Sequence, residues 1–356
     1  MIPRSMFFLE TFFALLLLVI LFGLCVDRLI RSRAPKREAS EHFDGRRFLN
    51  LGKVARRERP MTVWKWILSR PKSDWKERMN RASFVALPQR VEGAELRVTF
   101  VNHATVLIQT QGLNIVTDPV WAQRLSLFTH VRVGPKRFRE PGISFEQLPP
   151  IDIVLISHNH YDHMDVETLK RLQERWHPKI YTGLGNSDYL RRHGIKSSHD
   201  MDWWDEVPLA SSVKLVCVPA QHFSSRAISD RDVTLWCGFV LETKDGNMYF
   251  AGDTGYGDFV HRLKARWSSF RLALLPIGAF KPEWFMGPVH ISPDQALQIH
   301  QELQVKTSVA IHFGTFRLAD DKQDEPAERI KELLAQAKEP KPNFRILENG
   351  ESAMIS

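Results

Sequence analysis

A short segment at residues 155–165, LISHNHYDHMD, limits what this chain can fold into more than any other feature. It places His158, His160, Asp162 and His163 within six positions, directly after an apolar stretch that ends at Ile156. The apolar stretch predicts a buried strand, so the four polar side chains follow its end on a small loop surface. Imidazole and carboxylate groups are ligands for zinc and similar divalent ions. Because two ligands lie at each end of the segment, it favours two adjacent ions over one.

The same pattern, an apolar run that ends at a histidine or an aspartate, recurs along the chain. Three further apolar runs each end at such a residue: 213–222 at His222, 247–253 at Asp253 and 308–312 at His312. Strand ends that gather at one edge of a sheet bring distant residues together. The pattern therefore predicts a layered α/β domain with its site at such an edge.

Residues 6–26 are mostly apolar with a single charge, Glu10, and predict a transmembrane helix, because about 20 apolar residues span a bilayer. A signal peptide is the alternative, but the sequence LCVDR after the apolar run lacks a cleavage site with small residues. Five basic residues follow between positions 28 and 37, whereas only Arg4 precedes the run. By the positive-inside rule, we expect the catalytic domain to be cytoplasmic.

The positive charge of the chain is concentrated in residues 27–90, which we predict to be a basic juxtamembrane arm. This arm has 18 Lys and Arg against 7 Asp and Glu, whereas the whole chain has a net charge of +8, so the remainder carries about −3. Such an arm favours an anionic partner, although a solvated linker remains an alternative. Its residues 61–68, MTVWKWIL, suit either a lipid–water interface or an arm packed on the catalytic domain. Because the arm adjoins a membrane segment, we expect phospholipid head groups as the partner and no nucleic acid.

The order of the candidate ligands resembles that of the metallo-β-lactamase fold superfamily. The resemblance implies a four-layer αβ/βα sandwich over residues 91–356, with two Zn²⁺ ions per chain. It assigns the ligands of the two ions as follows: His158, His160 and His222 to one, Asp162, His163 and His312 to the other, and Asp253 to both.

Within that superfamily, residues 90–350 resemble the N-acylphosphatidylethanolamine-hydrolysing phospholipases D. The similar motifs are SHNHYDH (157–163), VGPKRFR (133–139), DWWD (202–205), AGDTGY (251–256), WFM (284–286) and IHFGT (311–315). The resemblance implies a phosphodiesterase that releases N-acylethanolamine and leaves phosphatidic acid. It implies that Tyr161 and His290 contact the substrate and that the protein forms a homodimer. On chemical grounds we expect Asp253 and His290 to be catalytic, Asp253 by holding or deprotonating the attacking water and His290 by donating to the leaving alkoxide.

Three other functions remain open on the sequence. The same metal ligands would serve a zinc-dependent lactonase or another hydrolase of a different ester or phosphodiester. A nuclease would fit the fold and the basic charge, but that charge lies beside the membrane segment rather than on the catalytic part. A non-catalytic protein with a relic fold would have no reason to keep all seven ligands.

His103 also follows a strand, and we interpret it as a residue behind the ligands or in the core.

Overall fold

The computed structural model describes residues 4–52, 60–70, 74–78, 86–126, 133–210 and 212–356. Residues 53–59, 71–73 and 79–85 of the predicted basic arm lie outside the described residues. In the described part, the helices are α1 (Arg4–Ile30), α2 (Pro60–Ser69), α3 (Val166–Trp176), α4 (Asn186–Arg192), α5 (Phe259–Arg266), α6 (Glu283–Met286), α7 (Pro293–Glu302) and α8 (Glu325–Gln336). A 3-10 helix lies at Phe145–Gln147.

The strands of the described part form two sheets. They are β1 (Leu96–Asn102), β2 (Thr105–Thr110), β3 (Leu113–Thr117), β4 (Ile153–Ile156), β5 (Lys179–Gly183), β6 (Ser198–Met201), β7 (Glu206–Ala210), β8 (Val213–Val218), β9 (Gly238–Thr243), β10 (Met248–Phe250), β11 (Phe270–Pro276), β12 (Val305–Ile311), β13 (Phe344–Arg345) and β14 (Ser352–Met354). The first sheet has the order β14-β1-β2-β3-β4-β5-β6, and the second has the order β13-β12-β11-β10-β9-β8-β7.

Alternation along the central strands explains why the sheets stack in layers. In β4, Ile153 and Leu155 join the core between the sheets, whereas Val154 and Ile156 pack with residues of α3 and α4. Residues of β11 alternate in the same way, with α5 and α7 on the outer side. Because successive side chains point to opposite faces, runs buried on both faces need a layer on each side. The predicted four-layer αβ/βα sandwich is confirmed.

The strand directions bring the predicted site residues to one edge. Strand β3 pairs with β4 in parallel, so Asp118 and the loop after Ile156 leave the first sheet side by side. In the second sheet β10, β11 and β12 are parallel, and β8 has the same direction because β9 is antiparallel to both β8 and β10. The chain therefore leaves β8, β10 and β12 at one common edge.

Helix α1 contains the predicted membrane segment 6–26. Within the described residues, its stretch Phe12–Ile30 is long and apolar enough to cross a membrane, and none of it is buried against the rest of the chain. One N-terminal apolar helix could thus anchor the protein in a membrane.

The segment after α1 packs on the sandwich. Phe43 and Phe48 are fully buried in the core between the sheets, and His42 Nε2 lies 2.7 Å from Asp202 Oδ1. In α2, the Trp66 ring packs against Phe285 at a centroid distance of 5.0 Å, and its indole N–H donates a hydrogen bond to Asp320. The side chain of Trp64, the second tryptophan of residues 61–68, lies outside what the structure describes. Trp66 therefore favours a packed arm over one that lies free at an interface.

Candidate metal centre

Three histidines form the first group of candidate metal ligands. Nε2 of His158 lies 2.8 Å from Nδ1 of His160, and Nε2 of His222 lies 3.3 Å from the same atom. Ligand nitrogens in a tetrahedral zinc site lie about 3.3 Å apart, because zinc–nitrogen bonds measure about 2.0–2.1 Å. The ligand atoms of all three residues lie within 4.8 Å of one another, so the group can bind one ion.

A second group surrounds the carboxylate of Asp162. Its Oδ2 lies 3.2 Å from Nε2 of His163, 3.3 Å from Nε2 of His312 and 3.1 Å from Nε2 of His103. All four side chains are buried, and their ligand atoms lie within 4.8 Å of one another. The sequence predicted three of them as ligands and His103 as a residue behind the ligands or in the core.

Asp253 lies between the two groups. Its Oδ2 is 3.1 Å from Nε2 of both His163 and His312, and 3.9 Å from Nε2 of His222. Gly252 brings it there, because a Cβ at this position would lie 2.5 Å from Cβ of Ser157 and the φ angle is +60°. All seven predicted ligands therefore converge, and Asp253 lies between the two groups.

Local turns explain how the segment 155–165 presents its ligands. The backbone turns after His160, whose carbonyl oxygen accepts a hydrogen bond from Met164 N at 2.8 Å. Asp165 then caps α3, because its side chain accepts hydrogen bonds from Glu167 N and Thr168 N. The ligands are thus held between the end of β4 and the start of α3.

Non-glycine residues with a positive φ occur at this site. His103, Asp118 and His312 have φ angles of 46°, 31° and 61°. Residues with this backbone conformation are uncommon, and strained positions concentrate at functional sites.

Hydrogen bonds behind the ligands fix which nitrogen faces the centre. Nδ1 of His163 lies 2.6 Å from Asp118 Oδ2, and Nδ1 of His222 donates to the carbonyl oxygen of Val289 at 2.8 Å. Nδ1 of His158 lies 2.9 Å from Oγ of Ser157. Such partners set the tautomer of a histidine and leave Nε2 free for a metal ion.

The donor set fits a metal centre. Oδ1 of Asp253 is buried and has no hydrogen-bond partner among the described residues. A buried polar atom without a partner destabilises a fold by about 1–3 kcal/mol, and a bound cation would compensate for this loss. His/Asp donors without cysteine suit zinc or another divalent first-row ion.

The electrostatics favour the metal-binding protonation states at the first group of histidines. Burial lowers the pKa of His160 to about 3 and the pKa of His158 and His222 well below the usual range, so all three are neutral at pH 7. In the second group, burial acts to lower the pKa of His163 and His312, but the nearby carboxylates outweigh it and raise both, so these two rings would release a proton when an ion binds. Burial acts to raise the pKa of Asp253, but His163 and His312 outweigh it and hold this pKa well below its usual range. Neutral imidazoles and an ionised carboxylate are the ligand forms.

The two predicted substrate contacts differ in their hydrogen bonding. The Tyr161 hydroxyl donates to the carbonyl oxygen of Arg226 at 2.9 Å, so this hydroxyl is already engaged within the protein. Nδ1 of His290 lies 3.8 Å from Asp253 Oδ2 and has no hydrogen-bond partner among the described residues. Burial lowers the pKa of His290 to about 4, so its ring is neutral.

The sequence did not predict two residues that support the ligands. Asp118 follows β3 directly, and only the parallel pairing of β3 with β4 shows that it adjoins Ser157. Asn50 of the basic arm accepts a hydrogen bond from His222 N at 3.0 Å and donates one to His222 O at 2.8 Å. The position of Asp118 after a strand was a usable signal, whereas no local pattern marks Asn50.

Comparison with known proteins identifies the family. Residues 113–313 match the model of the β-lactamase superfamily domain. The chain is 36% identical over 251 residues to N-acyl-phosphatidylethanolamine-hydrolyzing phospholipase D 1 of Caenorhabditis elegans, an alignment that covers 67% of this chain and 70% of that protein. It is 35% identical over 232 residues to the mitochondrial N-acyl-phosphatidylethanolamine-hydrolyzing phospholipase D of Saccharomyces cerevisiae, which covers 63% of this chain and 48% of the yeast protein.

Solved structures agree on the fold. The isothiocyanate hydrolase from Delia radicum gut bacteria superposes with a TM-score of 0.58 at 22% identity, over 73% of this chain and 99% of that one. Together with the matched family domain and the converging His and Asp ligands, this places the chain among the metal-dependent hydrolases of the metallo-β-lactamase superfamily.

Proposed function

We propose that this protein is a membrane-anchored dizinc phosphodiesterase of the phospholipase D type, which hydrolyses N-acylphosphatidylethanolamine to N-acylethanolamine and phosphatidic acid. The 36% identity over 251 residues to a phospholipase D named for this substrate carries the proposal. Support comes from the seven His and Asp side chains that converge at one sheet edge.

We assign three parts to the chain. Residues 6–26 form the anchor, residues 27–90 form the basic arm, and residues 91–356 form the catalytic domain on the cytoplasmic side. The contacts of Phe43, Phe48 and Asn50 with the sandwich support an arm that is docked on the catalytic domain.

Each of the two groups of candidate ligands would hold one Zn²⁺ ion. His158, His160 and His222 would bind one ion, Asp162, His163 and His312 the other, and Asp253 both. When bound, the ions would activate water for attack at phosphorus and offset negative charge on the phosphoryl oxygens.

The protein's own groups would orient the reactants and move the protons. Asp253 is ionised and has a free Oδ1, so it can accept a hydrogen bond or a proton from the attacking water. The oxygen that leaves phosphorus becomes the hydroxyl oxygen of N-acylethanolamine, so it needs a proton. His290 is neutral, and a neutral imidazole keeps one N–H, which can donate to that oxygen. The guanidinium carbon of Arg226 lies 4.0 Å from the centroid of the Tyr161 ring. This ring would form one wall of the lipid-binding site.

The proposed reaction is tested by its products. We expect the purified full-length protein, with its metal content measured, to convert N-acylphosphatidylethanolamine in mixed micelles to N-acylethanolamine and phosphatidic acid, as resolved by mass spectrometry. Protein stripped with a chelator should be inactive and should recover when Zn²⁺ is returned. If the metal-loaded protein leaves this lipid intact, the substrate assignment is wrong. A panel of lactones and other phosphodiesters would then identify the substrate.

Replacing His290 with alanine should reduce turnover about 10²- to 10⁴-fold while both ions stay bound, because the variant loses a proton donor and no ligand. Initial rates together with metal analysis of the dialysed protein test this result. His261→Ala is the matched control, since His261 is an exposed histidine of α5. Loss of one ion from the His290 variant would show that His290 is a ligand, because its ring nitrogen also groups with His222 and Asp253.

A further inference from the structure

The last turn of α1 is joined to a loop that follows the metal ligand His222. This loop, residues 224–231, reaches its tip at Ile228 and Ser229. Oδ1 of Asp27, in the last turn of α1, accepts a hydrogen bond from Ser229 N at 3.1 Å, and its other oxygen accepts one from Ser229 Oγ. The tip of the 224–231 loop therefore lies level with the end of the apolar helix.

A buried carboxylate makes this connection rigid. Asp230 is 1% exposed, and its Oδ2 accepts a hydrogen bond from the backbone N–H of Ser32 at 2.8 Å. Its Oδ1 accepts hydrogen bonds from Arg226 N at 2.9 Å and Ala227 N at 2.8 Å. One carboxylate thus fixes both the shape of the 224–231 loop and the course of the chain as it leaves α1. The helix cannot turn far relative to the loop without breaking these bonds.

The tip of the loop exposes an apolar side chain beside the helix. Ile228 is 97% exposed, and Leu29 on the last turn of α1 is 68% exposed. Single exposed apolar residues are ordinary on protein surfaces, so exposure alone would mean little. Here the residue stands next to a helix of membrane-spanning length, and the exposed Arg28 and Arg31 are at the same level. An apolar tip with cations around it suits the boundary between acyl chains and lipid phosphates.

The base of the same loop forms part of the metal centre. Nη1 of Arg226 donates to the carbonyl oxygens of Asn159, at 2.8 Å, and Met164, at 3.0 Å. Asn159 stands between His158 and His160, and its side chain accepts a hydrogen bond from Ser225 N at 2.9 Å. The loop therefore connects the end of α1 to the segment that carries four of the predicted ligands.

We propose that the 224–231 loop is a second membrane contact, with Ile228 inserted into the bilayer surface beside α1. The links through Asp27 and Asp230 would then hold the Tyr161 side of the metal centre close to the lipid from which the substrate is drawn. This inference rests on the proposed membrane anchor. The partner is the bilayer surface itself, for which the arginines favour anionic head groups.

A fluorescent probe at the loop tip tests the contact in the full-length protein. Cys25→Ser removes the exposed cysteine, and the two remaining cysteines are buried. Ile228→Cys in this background is labelled with an environment-sensitive dye and reconstituted into vesicles of phosphatidylcholine and phosphatidylglycerol. The matched control is Met354→Cys, which is 49% exposed in β14, at the opposite edge of the first sheet from β6. Strand β6 packs with α4, whose Arg192 donates to the carbonyl oxygen of Arg31.

We expect a blue-shifted emission and strong quenching by lipids with a nitroxide near the head group for the probe at 228, and neither for the probe at 354. Flotation of the same vesicles after a carbonate wash reports separately whether α1 is embedded. If the protein floats but the probe at 228 behaves like the probe at 354, the loop contact is wrong and the anchor stands. If the protein does not float, both the anchor and the loop contact are wrong. The proposed hydrolase activity would still stand, because it is tested separately in micelles.

Discussion

Replacing Asp253 with asparagine should reduce hydrolysis about 10²- to 10⁴-fold without unfolding the protein. Asparagine has nearly the same shape, so the close approach of Gly252 to Ser157 is kept. It lacks the negative charge that both groups face. Asp253 Oδ2 lies 3.1 Å from Nε2 of His163 and of His312 in the second group, and 3.9 Å from Nε2 of His222 in the first. It also cannot take a proton from water. Initial rates, metal content and circular dichroism on the same preparation separate loss of chemistry from loss of metal or fold.

The matched control is Asp258→Asn, five residues further along the chain. Asp258 precedes α5 and makes no capping hydrogen bond with its side chain, so this variant should keep full activity. Undiminished hydrolysis by the Asp253 variant would contradict the proposed catalytic role. If the variant instead loses both ions completely, Asp253 is essential for metal binding, and its part in proton transfer would need a separate test at saturating Zn²⁺.

The convergence of the candidate ligands was predictable because these residues lie close together in sequence or directly follow apolar strands. His158, His160, Asp162 and His163 occupy one loop, so their proximity needed no tertiary information. His222 and His312 required only the rule that strand ends meet at a sheet edge. Asp253 depended on the family resemblance, since a Gly-Asp-Thr-Gly sequence by itself reads as an ordinary turn.

The supporting residues were not predictable, because their roles come from pairing between distant segments. Asn50 lies 172 positions from His222, yet it bonds both the N–H and the C=O of that residue. The high charge of residues 27–90 suggested a solvated or lipid-bound arm and gave no sign that Phe43 and Phe48 are buried in the core. The hydrogen bond from the Tyr161 hydroxyl to Arg226 likewise joins residues that are 65 positions apart.

The predicted basic arm also supports the metal centre from outside the catalytic domain. Both loops that carry the first group of ligands touch it, through Ser32 beside Asn159 and through Asn50 beside His222. Hydrogen bonds of this kind hold a ligand in place before the ion arrives, and outer contacts are typically worth 10- to 100-fold in metal affinity. The segment that follows the apolar helix is therefore part of the scaffold of the site, in addition to any contact with lipid.

Replacing Asp118 with alanine should weaken binding at the second group of candidate ligands by about 10- to 100-fold and binding at the first group by clearly less. Asp118 is fully buried, and its Oδ2 lies 2.6 Å from both His163 Nδ1 and Ser157 Oγ. Without the carboxylate, nothing at this position fixes the tautomer in which Nε2 of His163 is free to bind metal. In the first group, His222 keeps its own supports, Val289 and Asn50. His158 is affected only indirectly, through the Ser157 hydroxyl that lies 2.9 Å from its Nδ1.

Competition with a chromophoric chelator, which resolves the two binding steps, measures this difference. Asp118→Asn should be impaired as well, because an amide can present its N–H₂ to Nδ1 and favour the wrong tautomer. Asp74→Ala is the control, since Asp74 is an exposed aspartate away from the centre. Equal weakening of both ions would mean that Asp118 supports the loop as a whole. Unchanged affinities would contradict the role of Asp118 in orienting His163.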